Sequence, residues 1–238
     1  MRKENEKFEI IYEGNNNKCS ISNLVNNNNY EIRISSIYND LVGEWSKIQK
    51  FKTLSLDSVI LGESDRGGEF LEKLYEWSGF KRMELLFRGT KDSMTNISFY
   101  NKCENQGSTI TLIKNEKGNI FGGYASISWI NNNNSTYYSA PESFLFTLTN
   151  IYNTEPTKFI SKNDQKEIRH FSSYGPVFGS GNDLGICADI QNKGGWSNFS
   201  NYTYKDTIGK GRSIFTGDFN NSSPYFKVKE IEVFKLIK

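Results

Sequence analysis

Residues 84–129 read ELLFRGTKDSMTNISFYNKCENQGSTITLIKNEKGNIFGGYASISW, and this stretch decides the fold. Residues 84–87 form a short apolar run that ends at Gly89. Ile97, Tyr100 and Cys103 recur at helical spacing, so a short helix is expected with these three on its apolar face. Residues 109–113 are β-branched and alternating, Gly118 closes a turn, and a second strand is expected over 119–129. The order is strand, short helix, strand, turn, strand. Gly122-Gly123-Tyr124 falls inside a strand, where glycines mark a bulge or a close backbone approach.

Downstream, Phe144, Phe146 and Leu148 alternate with Leu145 and Thr147, so residues 144–150 predict a strand covered on both faces. Further short runs lie at 158–160, 168–178, 184–190, 214–219 and 226–236, separated by Gly- and Asn-rich turns. In the last of these, Phe226 and Val228 have one parity, Ile231 and Val233 the other, and Phe234 and Leu236 switch back. Two explanations are open. Lys229-Glu230 forms a bulge, or Glu230 or Glu232 turns inward to meet a cation such as Arg88 or Arg212.

Upstream, Ser64-Asp65 is placed to cap a helix over 67–78, with Gly79 beyond its end. Phe70, Leu74 and Trp77 make its buried stripe, and Glu69, Glu72, Lys73 and Glu76 face outward. Residues 54–57 read as a linker. Before it, residues 8–53 predict several short strands, including one in which Phe8, Ile10 and Tyr12 alternate with Glu9, Ile11 and Glu13. Runs at 19–24, 30–37 and 45–53 follow. Asparagine tracts at 15–17, 26–29 and 131–134 lie between these runs, where insertions cost little. The expected organisation is a small β-module over 1–54 and a larger domain over 55–238, mainly β with flanking helices (α+β): a two-sheet antiparallel β-sandwich with helices at its margins.

The segments RGTKD (88–92), TITLIK (109–114), GGY (122–124), FLFTLTN (144–150), GPVFGSGNDL (175–184) and EIEVF (230–234) occur in an order that resembles the TLDc domain of the oxidation-resistance proteins. The resemblance covers residues 58–238. It implies a β-sandwich flanked by helices, no established catalytic chemistry, and an association with oxidative-stress protection and with binding and regulation of the vacuolar proton-pumping ATPase. Ser93 and Ser180 stand where the family pattern often carries glycine. Residues 24–53 also resemble the back half of a fibronectin type III module, through Leu24, the Tyr30-Glu31-Ile32-Arg33-Ile34 run, Gly43, Trp45-Ser46 and Lys52-Thr53.

The chemistry-bearing residues are sparse. The single histidine, His170, excludes a His-rich metal site, and no serine sits in a G-x-S-x-G elbow. Residues 179–185 are spaced G-x-G-x-x-x-G and precede a strand; residues 209–213 lack the first glycine of a P-loop. The cysteines, Cys19, Cys103 and Cys187, are odd in number and widely spaced, which argues against a disulfide framework. Cys103 lies between Lys102 and Glu104 on an apolar helix face and reads as a buried structural thiol, as does Cys187. Of the carboxylates Glu84, Asp92, Glu142, Asp183 and Glu230, none is paired by spacing alone.

Lys and Arg total 29 against 27 Asp and Glu, a net charge of +2 without a basic stripe, which argues against nucleic acid as a partner. No run approaches the ~18 apolar residues a membrane helix needs, and the N-terminus lacks an apolar signal core. The reading is an intracellular, non-enzymatic interaction domain with no cofactor, metal or catalytic set. Its expected partner is a protein, the vacuolar ATPase in particular, contacted through exposed loops such as residues 191–205. The alternatives are a redox-active or hydrolytic enzyme, and an adaptor linking fibronectin-type modules to partners.

Overall fold

Alternating apolar residues become strands where both faces find cover, and in the computed structural model this happens chiefly after residue 57. The structure describes residues 1–3, 6–14, 16, 21, 24, 29–53 and 57–237. The chain divides into two units, Met1–Leu56 and Asp57–Lys238.

In the first unit, β1 (Arg2–Lys3), β2 (Asn29–Ile32) and β5 (Gln49–Lys52) form a three-stranded sheet in the order β1-β2-β5. β3 (Ile37–Tyr38) and β4 (Leu41–Val42) form a separate hairpin. Glu31 is buried in the sheet between Arg2 and Lys50, with the Lys50 ammonium at 2.9 Å. The strand expected around Phe8, Ile10 and Tyr12 does not form. Among the described residues no strand pairs with it, and Ile10, Ile11 and Tyr12 lie exposed. The run expected at 45–53 shrinks to β5, and most of the run at 19–24, including Cys19, lies outside the described residues.

The second unit begins with α1 (Val59–Gly62) and α2 (Gly67–Ser78). The bounds of α2 match the expected helix, and Gly79 ends it in the left-handed conformation at φ 74°. Its start differs from expectation: Arg66 is the N-cap without a side-chain cap, and Ser64 contributes its carbonyl to the Gly67 N–H. Phe70 and Leu74 are buried; Trp77 is half-buried.

Next come β6 (Arg82–Arg88), α3 (Gly89–Asp92), α4 (Asn96–Cys103), β7 (Thr109–Asn115), β8 (Ile120–Ala125), β9 (Thr136–Tyr138), β10 (Phe144–Thr149) and β11 (Thr157–Ile160). The chain continues through β12 (Ile168–His170), β13 (Tyr174–Phe178), β14 (Leu184–Cys187), α5 (Ile190–Lys193), β15 (Gly195–Trp196), α6 (Ser213–Thr216), β16 (Tyr225–Phe226) and β17 (Val228–Ile237). Two antiparallel six-stranded sheets result, in the orders β11-β10-β8-β7-β17-β6 and β16-β15-β14-β13-β12-β9. Phe121, Leu145 and Phe159 of the first share one core with Ile168, Phe178 and Ile186 of the second. The mainly β sandwich with marginal helices is therefore present.

Local departures have local causes. On α4 the buried residues are Phe99, Tyr100 and Cys103, while Ile97 is exposed, because the helix packs through a face one step round from the expected stripe. Residues 126–129 leave β8 so that Trp129 can donate its indole N–H to Thr109 at 2.9 Å inside the core. The run expected to extend at 214–219 is instead helical over its first three residues, as part of α6. The close-approach explanation of the double glycine holds. A Cβ on Gly123 would sit 2.6 Å from the Phe178 ring of the opposite sheet, so a side chain there would push the two layers apart.

Candidate functional site

Strand β17 has both of the features expected as alternatives. Its pairing with β7 shifts between Val228 and Glu230, and its pairing with β6 shifts between Val233 and Phe234. Ile231 and Val233 join the sandwich core, so strand alternation turns Glu230 and Glu232 to the other face of the sheet. Both glutamates are buried there.

Glu232 pairs across the ladder with Arg88, whose Nε donates to Oε1 at 2.8 Å. Ser58 Oγ donates to Oε2 at 2.6 Å, and the backbone N–H groups of Val59 and Ile60 reach the same carboxylate at 2.9 and 3.4 Å. These donors lie at the start of α1, where helix N–H groups have no partners within the helix. Ser58 also accepts from the Leu61 N–H, so one hydroxyl caps α1 and ties it to β17. The second guanidinium arm of Arg88 donates to the side chain of Asp57 at 2.8 Å. Burial works against the charged guanidinium, yet Asp57 and Glu232 outweigh it and raise its pKa.

Glu230 accepts from the Thr90 hydroxyl and from the N–H groups of Thr90 and Ile231, the latter at 2.9 Å. It borders a cavity of about 270 Å3 lined also by Val59, Glu63, Thr90, Lys114 and Lys229. Lys114 is paired with Glu63 at 2.8 Å. Arg212, considered as a partner for an inward glutamate, instead donates to Asn221, beyond the far end of α6.

A second buried cluster lies in the other sheet. Asp183 has no exposed surface; its Oδ2 accepts from the Thr203 N–H at 3.3 Å, and its Oδ1 has no partner among the described residues. Burial pushes its carboxyl up, Thr203 partly opposes this and the nearby Asp164 adds to it, giving about 7. Asp164 accepts from the hydroxyls of Ser180 and Thr203 at 3.0 and 2.9 Å. Ser180 thus takes part in the network. Glu167 is also buried and accepts from Ser161 and the Ala140 N–H. Nothing in the spacing of these residues signals the cluster, because Asp164, Asp183 and Thr203 come from separate segments.

His170 is buried against Tyr138 and Trp129, with ring centroids 4.4 and 5.7 Å away. Neither ring nitrogen has a partner among the described residues, and burial pushes the imidazole down to about 4. Cys103 has no exposed surface, and burial pushes its thiol well up. Cys187 is half-buried and raised by the same cause. Glu84 and Glu142 are exposed, and Asp92 accepts from the Arg88 N–H at 3.0 Å. No group of three or more His, Cys, Asp or Glu among the described residues is arranged to hold a metal ion.

The 191–205 segment is less loop-like than expected. It holds the end of α5 and all of β15, and Ser197, Phe199, Thr203 and Tyr204 are buried. Its solvent face comprises Gln191, Asn192, Lys193, Asn198, Ser200, Asn201, Tyr202 and Lys205. No helix among the described residues is long and apolar enough to cross a membrane. Comparison with curated proteins returned no match. The model of the TLDc domain matches residues 64–237, a span holding both six-stranded sheets and the Arg88–Glu232 pair, and the chain therefore belongs to the TLDc domain family.

Proposed function

We propose that this chain is a non-enzymatic protein-interaction domain acting in oxidative-stress protection, and that its partner is the vacuolar proton-pumping ATPase. In this reading it works in the cytoplasm and reaches the vacuolar membrane only through that partner. Family membership supports the oxidative-stress association. The observation that carries the non-enzymatic reading is the structural use made of the buried ionisable groups on β6 and β17: Arg88 and Glu232 hold α1 to β17, and Glu230 holds α3. The exposed face of residues 191–205, with Tyr202 and Lys193, is the contact surface of this reading.

The test is a pull-down of purified ATPase subunits by the recombinant chain, with Tyr202→Ala and Lys193→Glu as surface variants. Recovery of subunits by the wild type and its loss in the variants is expected. Absence of capture by the wild type overturns the partner. A redox protector would instead need an accessible thiolate. Cys103 and Cys187 are expected to resist a maleimide probe for hours at pH 7, and labelling of either on mixing would favour that alternative.

A further inference from the structure

Where α2 ends over the first sheet, a cavity of about 450 Å3 opens, within the range of small-ligand pockets. Half-buried Trp77 of α2 supplies an aromatic wall, the buried rings of Tyr124 of β8 and Phe144 of β10 lie at the floor, and Lys158 of the edge strand β11 supplies a cation. Tyr124 and Phe144 are register neighbours with rings 4.9 Å apart, and Lys158 stands opposite Phe146.

The Lys158 ammonium donates to the Trp77 carbonyl at 2.9 Å, which caps the C-terminus of α2, and lies 4.3 Å from the centre of the Phe144 ring. An ammonium has three donors, and the helix cap uses one. Lys73, Lys102 and Lys114 each have a carboxylate within ion-pair distance, whereas Lys158 has none among the described residues. It is half-buried, and desolvation lowers its pKa although Glu76 opposes this. A desolvated cation bordering an open cavity favours an anion. The aromatic wall and floor favour a flat apolar body, and Glu142 on the rim disfavours a second negative charge.

We propose that this cavity binds a monocarboxylate with a flat apolar body, its carboxylate on Lys158 and its body against Trp77 and Tyr124. A free aromatic acid and the C-terminal aromatic residue of a peptide share this chemistry. The assignment is independent of any contact with the ATPase.

The test titrates the 15N-labelled full chain with 3-phenylpropanoate, 3-phenylpropanamide, and a tetrapeptide ending in phenylalanine as its free acid or amide. The Trp77 indole N–H is the reporter. Saturable shifts with the acids and about tenfold weaker binding of the amides are expected. Lys158→Met should lose about tenfold, and Lys158→Arg should retain most of the binding. If Lys158→Met fails to fold, the exposed Glu142→Lys decides, and it should tighten acid binding several-fold. Binding by the peptide acid alone identifies a chain terminus as the source; binding by the small acid alone identifies a free metabolite. Absence of shifts at millimolar acid, equal binding of acid and amide, unchanged binding in a folded Lys158→Met, or no gain in Glu142→Lys overturns the assignment.

Discussion

Four donors converge on Glu232: the Ser58 hydroxyl, two backbone N–H groups of α1 and the Arg88 guanidinium. A buried ion pair owes its persistence to such saturation, since removing one partner leaves the other desolvated and unmatched. Arg88→Met keeps the length of the side chain and removes the charge. It should destabilise the domain by about 3–5 kcal/mol, read as a lower urea midpoint. Glu232→Gln keeps an oxygen for only one of the two donor sets, Ser58 and Ile60 or Val59 and Arg88, and turns an NH2 toward the other, so it should also lower the urea midpoint. Equal midpoints for Arg88→Met and the wild type would show that the pair contributes nothing to stability. The parity break in 226–236 was legible in the sequence as a conflict. That a bulge and inward glutamates occur together was not, because the conflict is resolved by donors from α1 and β6.

At the scale of elements, the bounds of α2 were legible, since its apolar stripe and terminal glycine are local signals, while its uncapped start at Arg66 was not. α3 was not: it is a single turn closed by an Asp92 carboxylate accepting from the Arg88 N–H. Its end carries a strained position. Ser93 has φ 81° and ψ 129°, outside the region comfortable for a residue with a Cβ. Ser93→Gly should stabilise the protein by about 1 kcal/mol, as relief of strain exceeds the added freedom of the unfolded chain. Thermal unfolding measures this, and a fall in Tm would mean that the serine hydroxyl contributes more than the strain costs. Strand ends were the least legible feature. β6 gains two residues at its start and β8 loses four at its end, because pairing and the burial of Trp129 set these limits.

For the whole molecule, two buried groups oppose each other in pH dependence. His170 titrates near 4 in the fold against an ordinary 6.5, so the stability it permits is complete above 6.5 and declines as pH falls towards 4. Asp183 titrates near 7 against an ordinary 3.8, so its contribution is complete below 3.8 and is lost as pH rises through 7. Between about 4 and 6.5 the unfolded chain gains a proton at one site and loses one at the other, and the two slopes nearly cancel. Asp183→Asn removes one side of this balance while keeping an oxygen for the Thr203 N–H. Its stability relative to wild type should rise by about 1.4 kcal/mol per pH unit across that window. Urea midpoints of both proteins at pH 4.5 and 6.5 test this, and a constant difference between them would refute the coupling.

Sequence by itself determined the family, the sandwich class and the long amphipathic helix, because motif order, alternation and helical periodicity are written along the chain. It also singled out β17 as irregular and Cys103 as buried. Only the tertiary structure decided which carboxylates meet which donors, that Gly123 exists for Phe178, and that Lys158 borders an aromatic cavity. In an antiparallel sandwich the neighbours of a side chain come from strands far apart in sequence, and register, rather than spacing, brings them together.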